Sequence, residues 1–236
     1  MIADLSKAAT LYLAPVLMLT TLLLSLFAYL APTVMLHSQV ALLTVTPSAA
    51  LTEPGSNQAV DGPSLFLGAL GSCSRPNNEA GVSCTSPSLS PTYNTSVLPS
   101  NAPSLDLSAP PTAAPVFIAI ALAFSIIFFF SFTAISFRHV IPGKFGEFWD
   151  RPMTQRGSAW IGIFGFLVGL ASFLIVRMWF GKAVDDFNQG IASQGSGGPA
   201  LVASTSNAFI MVWVAYAFFG IPVIVSLAKL HVMATK

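Results

Sequence analysis

Four stretches of this chain run for about twenty residues or more with no acidic side chain inside them. They are Thr10 to Leu36, Pro115 to Phe137, Ser158 to Phe180 and Asn207 to Leu230. A helix needs about 20 predominantly apolar residues to cross the ~30 Å hydrocarbon core of a bilayer, and each stretch meets that length. Arg177 lies three residues from the end of the third stretch, where its long side chain can reach the headgroups. Composition agrees with this reading: hydrophobic residues are 54% of the chain and charged residues 8%, against about a quarter charged in a typical soluble domain. The expected class is therefore an all-α membrane protein, a four-helix transmembrane bundle. The first stretch is about twice as long as the ~7–15-residue core of a cleaved signal peptide, so a retained signal-anchor helix is expected.

Lys and Arg in the connecting segments set the expected orientation. Residues 138–157 hold Arg138, Lys144, Arg151 and Arg156, and read as a cytoplasmic loop. Residues 37–114 hold only Arg75 against Glu53, Asp61, Glu79 and Asp106, and residues 181–206 hold Lys182 against Asp185 and Asp186. Both read as extracellular loops of a multi-pass plasma-membrane protein. Residues 1–9, with Lys7, and residues 231–236, with Lys236, are then cytoplasmic termini, flanking spans at 10–36, 115–137, 158–180 and 207–230. The first outer loop carries strand signals at Gln39 to Thr46, Ser64 to Leu70 and Gly81 to Thr85, so a small extracellular β-sheet is expected there. From Ser86 to Pro111 the loop turns to Ser, Pro, Thr and Asn, which reads as an extended linker too polar to pack. The second outer loop is rich in Gly and Ser and is expected to be mobile.

Cys73 and Cys84 are the two cysteines of the chain and share the first outer loop. In an oxidising compartment they read as a disulfide, and closing a loop of about a dozen residues contributes roughly 3 kcal/mol in the chain-entropy model. Asn94-Thr95-Ser96 is a candidate glycosylation acceptor. In the third span Ser158, Gly162, Gly165, Gly169 and Ser172 fall on one helix face about 80° wide at 100° per residue. Such a face lets helix backbones approach closely, within the chain's own bundle, in self-association, or against a partner membrane protein. Phe124, Phe128, Phe129, Phe130 and Phe132 make the second span aromatic, which suits lipid or bundle contact. Basic residues interleave with Phe145, Phe148 and Trp149 between the second and third spans. That segment is either a plain positive-inside connector or one that lies among headgroups. No HExxH, CxxC or Walker loop occurs, the three histidines lie far apart, and no nucleophile–base or carboxylate pair stands out. The reading therefore assigns no catalytic, cofactor-binding or metal-binding residue. A formal charge of +1 leaves no footprint for nucleic acid, and the expected partner is the lipid bilayer.

The stretch Leu67-Gly68-Ala69-Leu70-Gly71-Ser72-Cys73, followed by Cys84, sits in a layout of one span, a long loop and three closely spaced spans. This resembles the claudin-like four-span proteins, and among them the fungal Sur-seven/PalI family, whose glycine-rich stretch runs into the first of two loop cysteines. The loop has no Trp, which separates it from tight-junction claudins. The resemblance implies a non-enzymatic organising protein of the fungal plasma membrane, with a place in membrane domains, cell-wall and cortex organisation, or ambient pH sensing. Gly68 and Gly71 would shape a strand turn near the membrane. An accessory subunit of a larger membrane complex, such as a wall-polysaccharide synthase or a channel, is the alternative.

Overall fold

A computed structural model describes residues 9–55, 60–105, 107, 113–138 and 140–234. The N-terminal tail with Lys7, His139 of the middle loop, Lys236 and the Asp106 and Pro111 end of the linker lie outside the described residues. A π-helical turn, Ala9–Leu13, leads into α1, Ala14–Leu30. The other helices are α2, Ala113–Ser136; α3, Lys144–Asp150; α4, Pro152–Gln194; and α5, Asn207–Ala234. All but α3 are long and apolar enough to cross a membrane. The strands are β1, Leu43–Pro47; β2, Ser64–Leu67; β3, Ser72–Arg75; β4, Ser83–Cys84; and β5, Leu201–Thr205. They form one antiparallel sheet in the order β4-β3-β2-β1-β5.

Two compact units share the long helices. The first comprises Met1–Leu26, Phe117–Ala171 and Val212–Lys236. Its interior is aromatic. The Phe128 ring lies 5.4 Å from Phe132 and 5.8 Å from Phe219, and Phe166 meets Tyr216 and Phe219 edge-on at 5.8 and 5.7 Å. Polar side chains inside it are bonded. Thr21 Oγ1 donates to the Ala215 carbonyl at 2.9 Å, and the Ser131 and Ser158 hydroxyls meet at 2.7 Å. With little hydrophobic drive between helices in an apolar solvent, close packing and such bonds supply the association.

The second unit comprises Phe27–Val116 and Ser172–Met211 and holds the sheet. Every residue of β2 is buried, so both faces of this strand are covered. Phe66 clusters with Ala41 and Cys73 on one face, while Leu43, Val45, Leu65 and Leu67 are fully buried.

The structure differs from the sequence reading in four respects. The third helix does not end at Phe180 but runs on to Gln194. Phe180, Ala183, Phe187 and Ile191 are all buried, a stripe at helical spacing, and Lys182 pairs with Asp186 one turn on. A hydropathy run ends at Phe180 because the opposite face becomes polar, while the periodicity continues. Residues 181–206 are accordingly not a mobile loop: they are helix, a 3-10 turn at Gly195–Gly197, and β5. The sheet is therefore not built from the first loop alone, since β5 pairs with β1 from Leu43↔Thr205 to Pro47↔Leu201. The linker from Ser86 does pack, through hydrogen bonds and through the Tyr93 ring against Phe180. Ser88 N donates to the Leu70 carbonyl at 2.9 Å, and the Gln194 side-chain amide donates to the Asn101 carbonyl at 3.1 Å.

Candidate functional site

The best-defined site lies at the end of the sheet where the two cysteines stand. Cys73 on β3 and Cys84 on β4 are register partners and form a disulfide, with their sulfurs 2.05 Å apart. Of the three sequence-expected strands, the segment around Cys84 is real but short, and β3, which carries Cys73, was missed. Its residues, Ser-Cys-Ser-Arg, lack the β-branched and aromatic signal of a strand. The cysteine itself was the available cue.

Gly68 and Gly71 bracket the turn from β2 to β3, closed by Gly68 N donating to the Gly71 carbonyl at 2.9 Å. A Cβ on Gly68 would collide with the Ala31 carbonyl and the Pro32 ring. Gly71 has φ 151°, and a Cβ there would stand 2.5 Å from Thr85 Oγ1. Both positions thus need a residue without a side chain. The half-buried Tyr93 covers the turn. Its hydroxyl donates to the Gly68 carbonyl at 3.1 Å, and its ring meets Phe180 edge-on at 6.3 Å. Burial pushes the Tyr93 phenol up to about 12 from its ordinary 10.0.

Next to the disulfide is a cleft of about 450 Å³ walled by Ser72, Ser74, Ser83, Cys84, Thr85, Ser86, Thr92 and Asn94. Its lining is hydroxyl and amide with a disulfide sulfur, and carries no ionisable group. Asn94 is on the rim: its backbone N–H donates to Ser72 Oγ at 2.9 Å and its Oδ1 accepts from Ser96 N at 3.0 Å. His37 also stands next to the disulfide. Its Nδ1 donates to the Pro32 carbonyl at 2.6 Å and stands 3.5 Å from Cys84 Sγ. The ligand atoms of His37, Cys73 and Cys84 lie within 4.8 Å of one another. With the sulfurs bonded to each other, the trio offers no thiolate to a metal.

Asn188 and Asn207 were not foreseen as site residues. The Asn188 side chain accepts from Ala203 N and donates to the Ala203 carbonyl, each at 2.9 Å, closing the free edge of β5. Asn207 Nδ2 donates to the Gln39 carbonyl at 2.6 Å. Their signal, a lone Asn within or opening a helix, is too common to single out without the fold.

Most of the small face of α4 belongs to the first unit. Ser158 is bonded to Ser131, a Cβ on Gly162 would stand 2.7 Å from the Phe128 ring, and one on Gly165 3.2 Å from Phe124 Cβ. A Cβ on Gly169 would collide with the Tyr216 hydroxyl. Ser172, in the second unit, is buried as well. Groups of the same chain therefore occupy the face from Ser158 to Gly169, and any other helix meeting α4 would use a different side, such as exposed Trp160, Phe164 and Leu167.

Fold and site together define a mostly helical protein with four helices suited to span a membrane, bearing a five-stranded antiparallel sheet closed by a disulfide. No family model matches the chain, and no curated protein or solved structure matches it.

Proposed function

We propose that this chain is a multi-pass, non-enzymatic organising protein of the plasma membrane, its sheet displayed on the extracellular side and both termini cytoplasmic. The observation that carries the reading is the sheet module. Disulfide, Asn188 clamp and glycine turn brace a polar surface in a chain that also carries four apolar helices. A rigid hydroxyl-lined surface suits repeated weak contact with a wall or with neighbouring proteins, and the apolar helices suit lateral gathering in lipid. The likeness of Leu67 to Cys73 to the fungal Sur-seven/PalI stretch supports membrane-domain, cortex or ambient-pH roles within that class. A glycan on Asn94 would stand on the rim of the cleft.

The test is gentle-detergent extraction of the tagged chain from its native membrane, with mass spectrometry of what remains bound, beside imaging of its lateral distribution. Copies of the chain with lipid, in stable surface patches, are expected. Even, freely diffusing distribution with nothing bound would sink the organiser reading. A single stoichiometric membrane partner would favour the accessory subunit instead, entering through the exposed Trp160 and Phe164 side of α4.

A further inference from the structure

Helix α3 and its flanks carry an arrangement that the organiser reading leaves unused. No side chain of α3 is buried. At about 100° per residue Phe145, Phe148 and Trp149 share one face, and Gly146, Glu147 and Asp150 share the opposite one. Three ties fasten the second face to neighbouring parts of the chain. Gly146 lies so close to the preceding turn that a Cβ would stand 2.5 Å from the Ile141 carbonyl. Arg138 Nε pairs with an Asp150 oxygen at 2.7 Å. The buried Gln155 donates its side-chain amide to the Trp149 and Asp150 carbonyls at 3.4 and 3.2 Å. An open cleft of about 410 Å³ runs along this tied side.

The aromatic face is left open. Phe145 is 71% exposed and Phe148 46%, and Val140 and Met153 on either side are 68% and 85% exposed. Holding such side chains in water forgoes about 1.5–3 kcal/mol each relative to full burial. The charges around them are one-sided. Arg138 is matched by Asp150, whereas Lys144, Arg151 and Arg156 are exposed and make no ion pair among the described residues, leaving Glu147 as the opposing charge. Residues 137–151 connect two helices suited to span a bilayer, so α3 cannot lie far from a membrane surface.

We propose that α3 and its flanks, residues 140–153, form a docked interfacial segment. Phe145 and Phe148 enter the acyl boundary of the bilayer that the long helices cross, while Lys144, Arg151 and Arg156 bind anionic phospholipid headgroups. This rests on the membrane-spanning reading. The three ties make it a built feature: α3 is held so that its aromatic side, and not its acidic side, meets the lipid.

The background without free thiols needed to test it already exists, because both native cysteines are bonded. Single cysteines at Phe145, Phe148, Glu147 and the exposed Phe130 of α2 are spin-labelled in the full chain. The chain is reconstituted in nanodiscs of phosphatidylcholine, alone or with phosphatidylserine as a minor component. Collision with oxygen, which dissolves in lipid, is compared with collision with a water-soluble nickel chelate. Expected is an oxygen-to-nickel ratio several-fold higher at 145 and 148 than at 147, rising with phosphatidylserine and losing that rise when Lys144, Arg151 and Arg156 become Gln. Nickel-dominated relaxation at 145 and 148 with oxygen-dominated relaxation at 130 overturns the proposal alone. Protection from both reagents at 145 and 148 means a protein occupant and also overturns it. Indifference to phosphatidylserine overturns the anionic-lipid assignment. Nickel access at 130 removes the spanning reading, and the proposal falls with it.

Discussion

Gly162 and Gly68 stand where a methyl group would meet something unable to move aside. For Gly162 it is the Phe128 ring, fully buried among other rings; for Gly68 it is the Ala31 backbone. At Gly169 the obstacle is the tip of the Tyr216 side chain, and Gly157 has nothing within 4 Å. Gly162→Ala and Gly68→Ala should each lose about 1–3 kcal/mol, whereas Gly157→Ala should be neutral or gain up to about 1 kcal/mol through helix propensity. Thermal unfolding of the detergent-solubilised variants by intrinsic fluorescence checks the order, and equal midpoints for all three would refute the packing argument. Tyr93 yields a second residue-scale prediction. Between pH 10.0 and about 12 its phenol ionises in the unfolded chain but stays neutral in the folded one. The unfolded state then binds fewer protons, so stability contributed below pH 10 is lost as pH rises through that window. Ultraviolet difference titration of the wild type against Tyr93→Phe should show one tyrosinate appearing near pH 12; a step near 10 would mean the phenol is not held on Gly68.

Among elements, the two edges of the sheet are guarded by different means. On the β5 side Asn188 occupies both backbone groups of Ala203. Asn188→Ala leaves that pair unmet at a cost of about 1–3 kcal/mol, and amide exchange at Ala203 should accelerate while Val45 in β1 stays protected. On the other side β4 is two residues long and paired to β3 at Cys73↔Cys84 and Ser74↔Ser83. Replacing both cysteines with serine removes roughly 3 kcal/mol of loop closure. Exchange from Ser83 to Thr85 should rise more than in β1 or β2. If instead the whole sheet loosened together, the disulfide would be holding the module and not merely its edge.

For the molecule as a whole, the charge pattern and the positions of the loops make a joint prediction about sidedness. Asn94 is exposed on the sheet module and Lys144 is exposed on α3. If the four long helices cross a bilayer, an odd number of crossings separates these two positions. A cysteine at Lys144 should then react with a membrane-impermeant reagent only when the cytoplasmic side is opened. Any Asn94 glycan, detected as an enzyme-sensitive mobility shift abolished by Asn94→Gln, should be reached from outside intact cells. Both positions reacting from the same side would contradict four crossings. Length bears on the same question: at 1.5 Å per residue the 43 residues of α4 extend about 65 Å, roughly twice a hydrocarbon core. Its last thirteen residues, from Lys182 onward, carry Lys182, Asp185 and Asp186 and present Asn188.

The local features were legible in the amino-acid order because their causes are local. Four apolar runs identified the long helices, alternation located β1, the bounding Gly62-Pro63 and Gly71 located β2, and two cysteines in one loop identified the disulfide. The continuation of α4 was also written there, as the spacing of Phe180, Ala183, Phe187 and Ile191, but in periodicity rather than in hydropathy. What only the tertiary structure decided are the long-range pairings. Thr44 and Ser204, 160 positions apart, face each other across β1 and β5 because intervening helices return the chain to that place. No composition or period encodes such a return. The same holds for the Asn188 clamp, the linker fastened by Tyr93, the rings that fill the small face of α4, and the side of α3 left open. Each depends on which surfaces meet once the chain is folded, and a local pattern shows that a surface exists without showing what covers it.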